Sequence, residues 1–511
     1  MVDIQKIFDG CMAGKTEGKI TARTVYEYVV SPFMIYCDYF APEDKKDPIT
    51  EFMKSLFEQG TNHEDKYVTE TYPKMVPIKF ATPQEGFWKV LEAMRGGVGA
   101  MHRMPIFYLK EDLHGVPDIL ERNDAARSVF GRYHYIVKEV KLAKNIQDYH
   151  RLQAAFYNYV LGKIQGYTPP TFFLINRDKE EKEFEYDERE LLTVLQDIRD
   201  IISGKKVVTP TYGCADWPWQ TYCNEEAIRI GDISLVSGVG PSHKERLVAS
   251  GFRTAKDLAN ASPNRLTQIE RIGAKTAEKF KRNAQALTTG KHIKIGGVNF
   301  PKKKTEIFLD LEGTGQQLGD EELIAMDYLI GVLARKNSKE EYIPFLAKGL
   351  DKEGQMFAEF LKWLGKQEDY IIYHWHHYES THLKALCERY GVDEGIQSKL
   401  FNNLRNLYKD ATSAFAFPTY GYGLKEVAKY MGFQWRHDDV DATESIAFYL
   451  QYLDNPKKNR PKLQKVIDYN EDDCRATKTV KDWLEENSGN AQEGLTIKRN
   501  EQKSHQITFE L

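Results

Sequence analysis

The alternation of apolar and polar positions divides the chain into four patterned stretches and a tail. Residues 1–205 mix helical spacing with a few apolar strands and end at the Gly204-containing IISGKK. Residues 206–228, which include TPTYGCADWPWQTYC, are rich in Pro, Trp, Tyr and Cys and predict a compact irregular connector. From 229 to 297, short helical patterns are broken by glycines. A basic PKKKT then opens an alternating strand–helix region, 298–487, whose first strand is EIFLDLEG. The tail, 488–511, is polar and predicted to be loosely held. The pattern implies a multidomain α/β protein with a small all-α domain in its middle.

Two of the predicted strands carry charge where apolar residues are expected. In YIVKEVKLAK (135–144) the side chains alternate, so Glu139 and Lys141 share a face with Tyr135 and Val137. A lone Glu-x-Lys is usually a surface ion pair, and what converges on that face decides otherwise. LHGVPDIL (113–120) is a turn running into a strand with Asp118 near its start, and the spacing to Glu139 suits a hairpin. Two carboxylates meeting there hold Mg²⁺ or Mn²⁺ through oxygen, and a lysine beside them orients water or stabilises phosphate charge. RLQAAFYNYVL places Gln153 and Tyr157 on one helix face, and EQGTNHEDKYV offers His63 as a further ligand.

The strand EIFLDLEGTG (306–315) sets Asp310 and Glu312 on one face, which demands a neutralising cation. IIYHWHHYESTHLKAL brings Glu379 to the end of another apolar strand. DYNEDDCRATKTVKDWL is a helix with Tyr469 and Asp473 four apart. Between them, FPTYGYGLKEVAKYMGFQW presents Tyr420, Tyr422 and Lys425, suited to stacking on a strand and neutralising it, or to packing in a core. His376, His377 and His382 are expected to serve the helix entry rather than zinc.

Charge and composition narrow the class. The length of 511 residues exceeds what one core supports, and 41% hydrophobic with 12% aromatic residues is globular composition. The net charge is −4, yet residues 231–305 hold 15 Lys+Arg against 5 Asp+Glu, so a basic middle lies between acidic flanks. Six scattered cysteines and the lack of a signal-like or membrane-spanning apolar run give a cytoplasmic, membrane-free expectation. No P-loop pattern is present, so any helicase would be a separate chain.

The first charged set resembles the RecB-like branch of the PD-(D/E)XK nucleases. The motif pieces are Gly60/His63, Gly115/Asp118, Glu139/Lys141 and Gln153/Tyr157, in order. The resemblance implies a restriction-endonuclease-like domain over 1–205 in which His63, Asp118 and Glu139 bind metal, Lys141 is catalytic, and Gln153 and Tyr157 contact DNA. Relatives often carry an iron–sulfur cluster on four cysteines. Here Ser31 and Trp217 stand at two of the four places, so no cluster is expected and Cys214 and Cys223 read as packing residues.

Residues 229–297 resemble tandem helix-hairpin-helix motifs, around Gly238-Val-Gly240 and Gly273. Glycine allows close backbone approach, helix N-termini offer N–H groups to phosphate, and Lys244, Lys275 and Lys279 add charge. Residues 298–487 resemble the YprB-type branch of the DEDD exonucleases. That implies a ribonuclease-H-like fold with a two-metal Mg²⁺ or Mn²⁺ site, Asp310, Glu312, Glu379 and Asp473 as ligands, and Tyr469 orienting the attacking water. Glu379 departs from the usual Asp, and His374 from the usual Asn. The expectation is a metal-dependent nuclease acting on DNA, with RNA as a second candidate substrate, a 3′-to-5′ exonuclease type at the C-terminal site, and repair or defence proteins as partners. A nucleic-acid-binding scaffold with one or both sites degenerate is the alternative, and Glu379 and the lost cysteines speak for it.

Overall fold

A computed structural model describes residues 2–14, 20–314, 326–437 and 440–488. The first domain is built on a five-stranded sheet in chain order: β1 (Ala100–His102), β2 (Ile119–Asn123), β3 (His134–Val140), β4 (Thr171–Ile175) and β5 (Glu181–Glu185). All neighbours are antiparallel except β3 and β4. A parallel pair needs a crossover, and the helix Asp148–Gln165 supplies it. Every residue of β3 is buried, and its two faces do different work. Tyr135 and Val137 enter the domain core, while Lys138 turns the other way and sits 2.7 Å from Glu121 and 2.9 Å from Glu181. The strand stops at Val140, shorter than the 135–144 predicted, and Lys141 begins the loop, its N–H bonded to the Ile175 carbonyl at 2.7 Å.

The middle is a small helical unit with its own apolar core, including Leu247, Leu258, Ala277 and Phe280. Of its helices, Pro241–Ala249 and Ala274–Thr289 start on Gly240 and Gly273. The connector before it is less irregular than predicted, since Gln220–Ile230 is a helix.

The C-terminal domain has a second five-stranded sheet: β6 (Thr305–Gly313), β7 (Asp327–Lys336), β8 (Lys339–Leu346), β9 (Tyr370–His374) and β10 (Leu404–Asn406), in the order β8-β7-β6-β9-β10. The first three form an antiparallel meander, and β9 joins β6 in parallel. Apolar cores cover both faces. We label the helices that carry the sites α1 (Ala22–Val30), α2 (Glu51–Thr71), α3 (Asp148–Gln165), α4 (Pro241–Ala249), α5 (Ala274–Thr289), α6 (Tyr378–Arg389), α7 (Leu424–Tyr430), α8 (Ala442–Asp454) and α9 (Arg460–Ser488). The polar tail predicted from 488 onwards lies, past Ser488, outside the described residues.

Candidate active sites

The central strand β6 and the long helix α9 build the C-terminal site. Asp310 and Glu312 stand two residues apart on β6, and α9 brings Asp473 against them. One ligand oxygen from each lies within 4.8 Å of the others, the group of potential metal ligands that the described residues form. A web of neutral donors fixes the geometry. The Asn470 amide donates to Asp310 Oδ2 at 2.7 Å and accepts from the Tyr342 hydroxyl at 2.9 Å. Trp435 Nε1–H donates to Asp473 Oδ1 at 2.8 Å, and the Ser445 hydroxyl meets Glu312 Oε2 at 3.4 Å. Asn470 fits only because β7 has glycine opposite Asp310: a Cβ on Gly331 would lie 1.5 Å from Asn470 Oδ1.

The electrostatics follow from crowding three carboxyls out of water. Burial, then the Asp473, Glu312 and Glu379 charges, raises Asp310 well above the carboxylate range; burial and Asp473 do the same to Glu312. Burial pushes Asp473 up to about 6, against the lowering pull of Trp435 and Lys425. Lys425, the second residue of α7, places its ammonium 4.8 Å from the Tyr469 ring centroid. The Tyr469 phenol hydrogen-bonds Asp473 and is raised far above its normal value, first by burial and then by the Asp473 charge. An all-oxygen, carboxylate-rich set of this kind suits a hard divalent cation such as Mg²⁺ or Mn²⁺.

Glu379 stands apart from that group. It is buried near the start of α6, close enough for its charge to raise Asp310, but its carboxylate meets His374 Nδ1 at 3.2 Å. The other histidines are locally engaged: His382 Nδ1 pairs with Asp327 at 2.7 Å, and the His376 and His377 rings lie in tilted contact with centroids 4.2 Å apart. Tyr422 is a core residue, its hydroxyl bonded to the Phe417 backbone, whereas Tyr420 is exposed.

In the first domain, the β2–β3 hairpin joins Asp118 and Glu139. Glu139 Oε1 accepts from the Asp118 N–H at 2.9 Å, and Asp118 Oδ2 accepts from the Val140 N–H at 2.8 Å. Lys141 Nζ lies 2.8 Å from Glu139 and 3.9 Å from Asp118. Burial and the Glu139 charge raise Asp118 well above its ordinary value. Lys141 is held protonated: Glu139 and Asp118 outweigh the opposing effect of burial. Tyr157 on α3 packs so tightly on the preceding turn that a Cβ on Gly115 would come within 2.4 Å of its ring. Gln153, by contrast, directs its amide to the Ala22 carbonyl of α1 at 3.3 Å, which makes it a link between helices. His63 is buried on α2, and among the described residues it does not close with Asp118 and Glu139 into a three-ligand group. Its neighbour Glu64 is the residue whose charge reaches Asp118, Lys141 and Tyr157, and it is gripped by His102 at 2.7 Å and Arg103 at 2.7 Å.

Cys37 and Cys223 bring their sulfurs to 3.9 Å in an apolar cluster with Phe33, Met34 and Trp219, a meeting that the sequence spacing did not reveal. The hydrogen bond with Cys223, together with burial, holds the Cys37 thiol protonated.

In the helical middle, Gly238 has φ +94°, open to glycine and strained for other residues. Gly240 and Gly273 are the N-caps of α4 and α5 and supply no side-chain cap; Pro241, the first residue of α4, carries no N–H. Lys275 and Lys279 are exposed on α5, and the Lys279 ammonium lies 3.6 Å from the place of a Gly238 Cβ. Lys244 corrects the expectation of a phosphate contact. It is buried, 2.9 Å from Asp232, and donates to the Pro210 carbonyl at 2.5 Å. Burial lowers its pKa against the pull of Asp232.

Among known families, residues 307–485 match the RNase H superfamily model (RNase_H_2), and residues 231–285 match the SAM-like helix-hairpin-helix tandem. No curated protein matches the chain. The C-terminal unit is thus an RNase H-superfamily domain, and the basic middle is a helix-hairpin-helix tandem. The first match is consistent with nuclease-type hydrolysis of nucleic acid, and its domain carries the carboxylate cluster; the second is consistent with DNA binding. No described helix is long and apolar enough to cross a membrane.

Proposed function

We propose that the protein is a metal-dependent nuclease whose C-terminal site is of the DEDD exonuclease type, removing nucleotides from a 3′ end. The observation that carries this reading is the convergence of Asp310, Glu312 and Asp473 within 4.8 Å on an RNase H-superfamily domain. These three residues would hold Mg²⁺ or Mn²⁺, with Glu379 as the outlying fourth carboxylate. Such a cation, when bound, offsets charge on the scissile phosphate and makes a water acidic enough to attack at neutral pH. Tyr469, whose phenol donates to Asp473, orients the attacking water by accepting from it at the phenol oxygen. Lys425 supplies positive charge beside Glu312 and Asp473, where a phosphate approaches.

The first domain is a second catalytic centre of the RecB-like PD-(D/E)XK type. Support comes from the hairpin that places Asp118, Glu139 and a protonated Lys141 together. There Asp118 and Glu139 would hold the metal, and Lys141 would stabilise charge developing on phosphate. The helix-hairpin-helix unit grips the DNA backbone without reading bases. The test is a cleavage assay in Mg²⁺ or Mn²⁺ on labelled single-stranded DNA, duplex DNA and RNA, comparing Lys141→Ala, Asp310→Ala and the double variant. Each single variant should abolish cleavage of a different substrate or product pattern. A wild type that binds nucleic acid and cuts none of the three refutes the nuclease reading and leaves a binding scaffold.

A further inference from the structure

The buried Lys244 does something other than bind phosphate. It ties Asp232 to the carbonyl of Pro210, while the Ser234 hydroxyl, bonded to Asp232 Oδ1 at 2.5 Å, accepts the Tyr212 N–H at 2.9 Å. This polar clamp is fully paired and sits within the helical unit, so it fixes the connector backbone on both sides of Thr211. The clamped residue, Tyr212, reaches across to the nuclease domain and meets Tyr420, with ring centroids 5.6 Å apart and planes inclined by 54°.

The other side of the pair is equally fixed. Phe417 and Tyr422 are buried and anchor the loop, and Tyr422 bonds the Phe417 backbone. Gly421, at φ +94°, makes the turn, and the Thr419 hydroxyl donates to the Gly421 carbonyl at 2.6 Å. Between two buried aromatic neighbours, Tyr420 alone faces solvent, 36% exposed. Gly423 then caps α7, whose second residue is Lys425 beside Tyr469. The same short segment therefore carries an exposed aromatic at one end and the site's ammonium at the other.

Two parallel stacked rings would cover each other. The two rings are tilted rather than stacked, so they do not cover each other face to face, and an exposed aromatic such as Tyr420 is what an unpaired base stacks upon. We propose that Tyr212 and Tyr420 form a base-stacking platform that receives a single-stranded nucleic-acid end between the helix-hairpin-helix unit and the Asp310/Glu312/Asp473 site. The occupant is a single strand rather than the body of a duplex, because inside a duplex both faces of each base are covered by its stacked neighbours. The platform deepens the exonuclease reading and rests on it for its direction of travel, but its binding role is separable from cleavage.

The test uses the full-length protein in EDTA, so that no cleavage enters. Single-stranded oligodeoxythymidylate with 2-aminopurine near its 3′ end reports stacking by quenching; the matching RNA and a blunt duplex are run beside it. Tyr420→Ala and Tyr212→Ala should each weaken single-strand binding about tenfold and remove most of the quench, with duplex binding unchanged. Tyr420→Phe and Tyr212→Phe should retain both signals. Equal binding by the Ala variants, or Phe variants that behave like Ala, would overturn the platform, and so would losses that fall equally on duplex and single strand. DNA and RNA arms show which sugar the platform accepts. Should the wild type cleave nothing while the aromatic dependence holds, the exonuclease reading fails and the platform stands.

Discussion

Gly331→Ala is the sharpest perturbation of the C-terminal site, because it adds a single methyl group to a residue that touches no ligand oxygen. Gly331 on β7 pairs with Asp310 on β6, and the Asn470 amide lies over it. The new Cβ would fall 1.5 Å from Asn470 Oδ1 and 2.6 Å from its Cγ, so the amide must leave. Leaving breaks the 2.7 Å bond to Asp310 and the 2.9 Å bond from Tyr342. A neutral hydrogen bond contributes about 1 kcal/mol, one to a charged group about 2 kcal/mol, and forced displacement in a packed core adds about 1 kcal/mol or more. The total is about 4 kcal/mol, concentrated where β6, β7 and α9 meet. Hydrogen exchange of peptides from these elements reads that loss locally, which suits a multidomain chain better than a global melt. Mn²⁺ affinity, measured by calorimetry, should fall as well, since Asp310 loses the donor that orients it. The control is the Asn470→Ala background. With the amide gone there is nothing to collide with, and Gly331→Ala should then cost almost nothing, a large non-additivity. If the two substitutions add, or if Gly331→Ala alone keeps normal exchange and Mn²⁺ binding, the wedge argument is wrong.

Other outcomes follow from charge. For Asp473, raised to about 6 by burial from its ordinary 3.8, the folded form holds the extra proton. Its stabilising contribution is complete below about pH 4 and is lost as pH rises through about 6, so protein in EDTA should melt lower at pH 7 than at pH 5, and Asp473→Asn should flatten that slope. Added Mg²⁺ or Mn²⁺ should restore the neutral-pH stability of the wild type and release protons in doing so. Lys244→Ala strands a buried Asp232 and should cost about 3 kcal/mol or more in urea denaturation. Lys275→Ala, on an exposed position, should leave stability alone, weaken duplex binding and lower the salt slope by about 1. A Lys244→Ala variant that stays stable but loses DNA would reverse the assignment made from its burial.

The parts of the sites that were legible in the sequence are those fixed by local period. Alternation placed Glu139 and Lys141 on one face, and Asp310 and Glu312 on another; helical spacing did the same for Tyr469 and Asp473. The hairpin spacing from Asp118 to Glu139 was readable because antiparallel neighbours close over short connections. Residues that act across the fold left no such trace. Asn470 is one residue from Tyr469 and points to a different partner; Gly331 is one glycine in an apolar strand, and its meaning lies in an amide on α9. Lys244 reads as basic like its exposed neighbours until the fold places Asp232 and Pro210 around it. Glu64 carried no signal beyond its position after His63, and Arg103, which holds it, comes from a separate strand end.

The relation between the two acidic centres was the least legible feature, because nothing in the pattern of α2 marks it as shared. Its first turn belongs to the C-terminal domain. Phe52 is buried in the core under the second sheet, its N–H bonds Glu444 at 3.4 Å, and Gln451 of α8 reaches Glu51 at 3.2 Å. Its later turns belong to the first domain, where Tyr67 and Val68 pack with Ile119 of β2 and Val140 of β3, and Glu64 faces Asp118. Phe52 and Glu64 are separated by about 18 Å of helix at the standard rise. On α8 the contact continues to Ser445, whose hydroxyl touches Glu312. A single helix thus spans from the docking face behind one carboxylate group to the edge of the other. α2 packs against both domains directly, so lengthening PKKKT should disturb the spacing of the two centres less than breaking α2 in its middle.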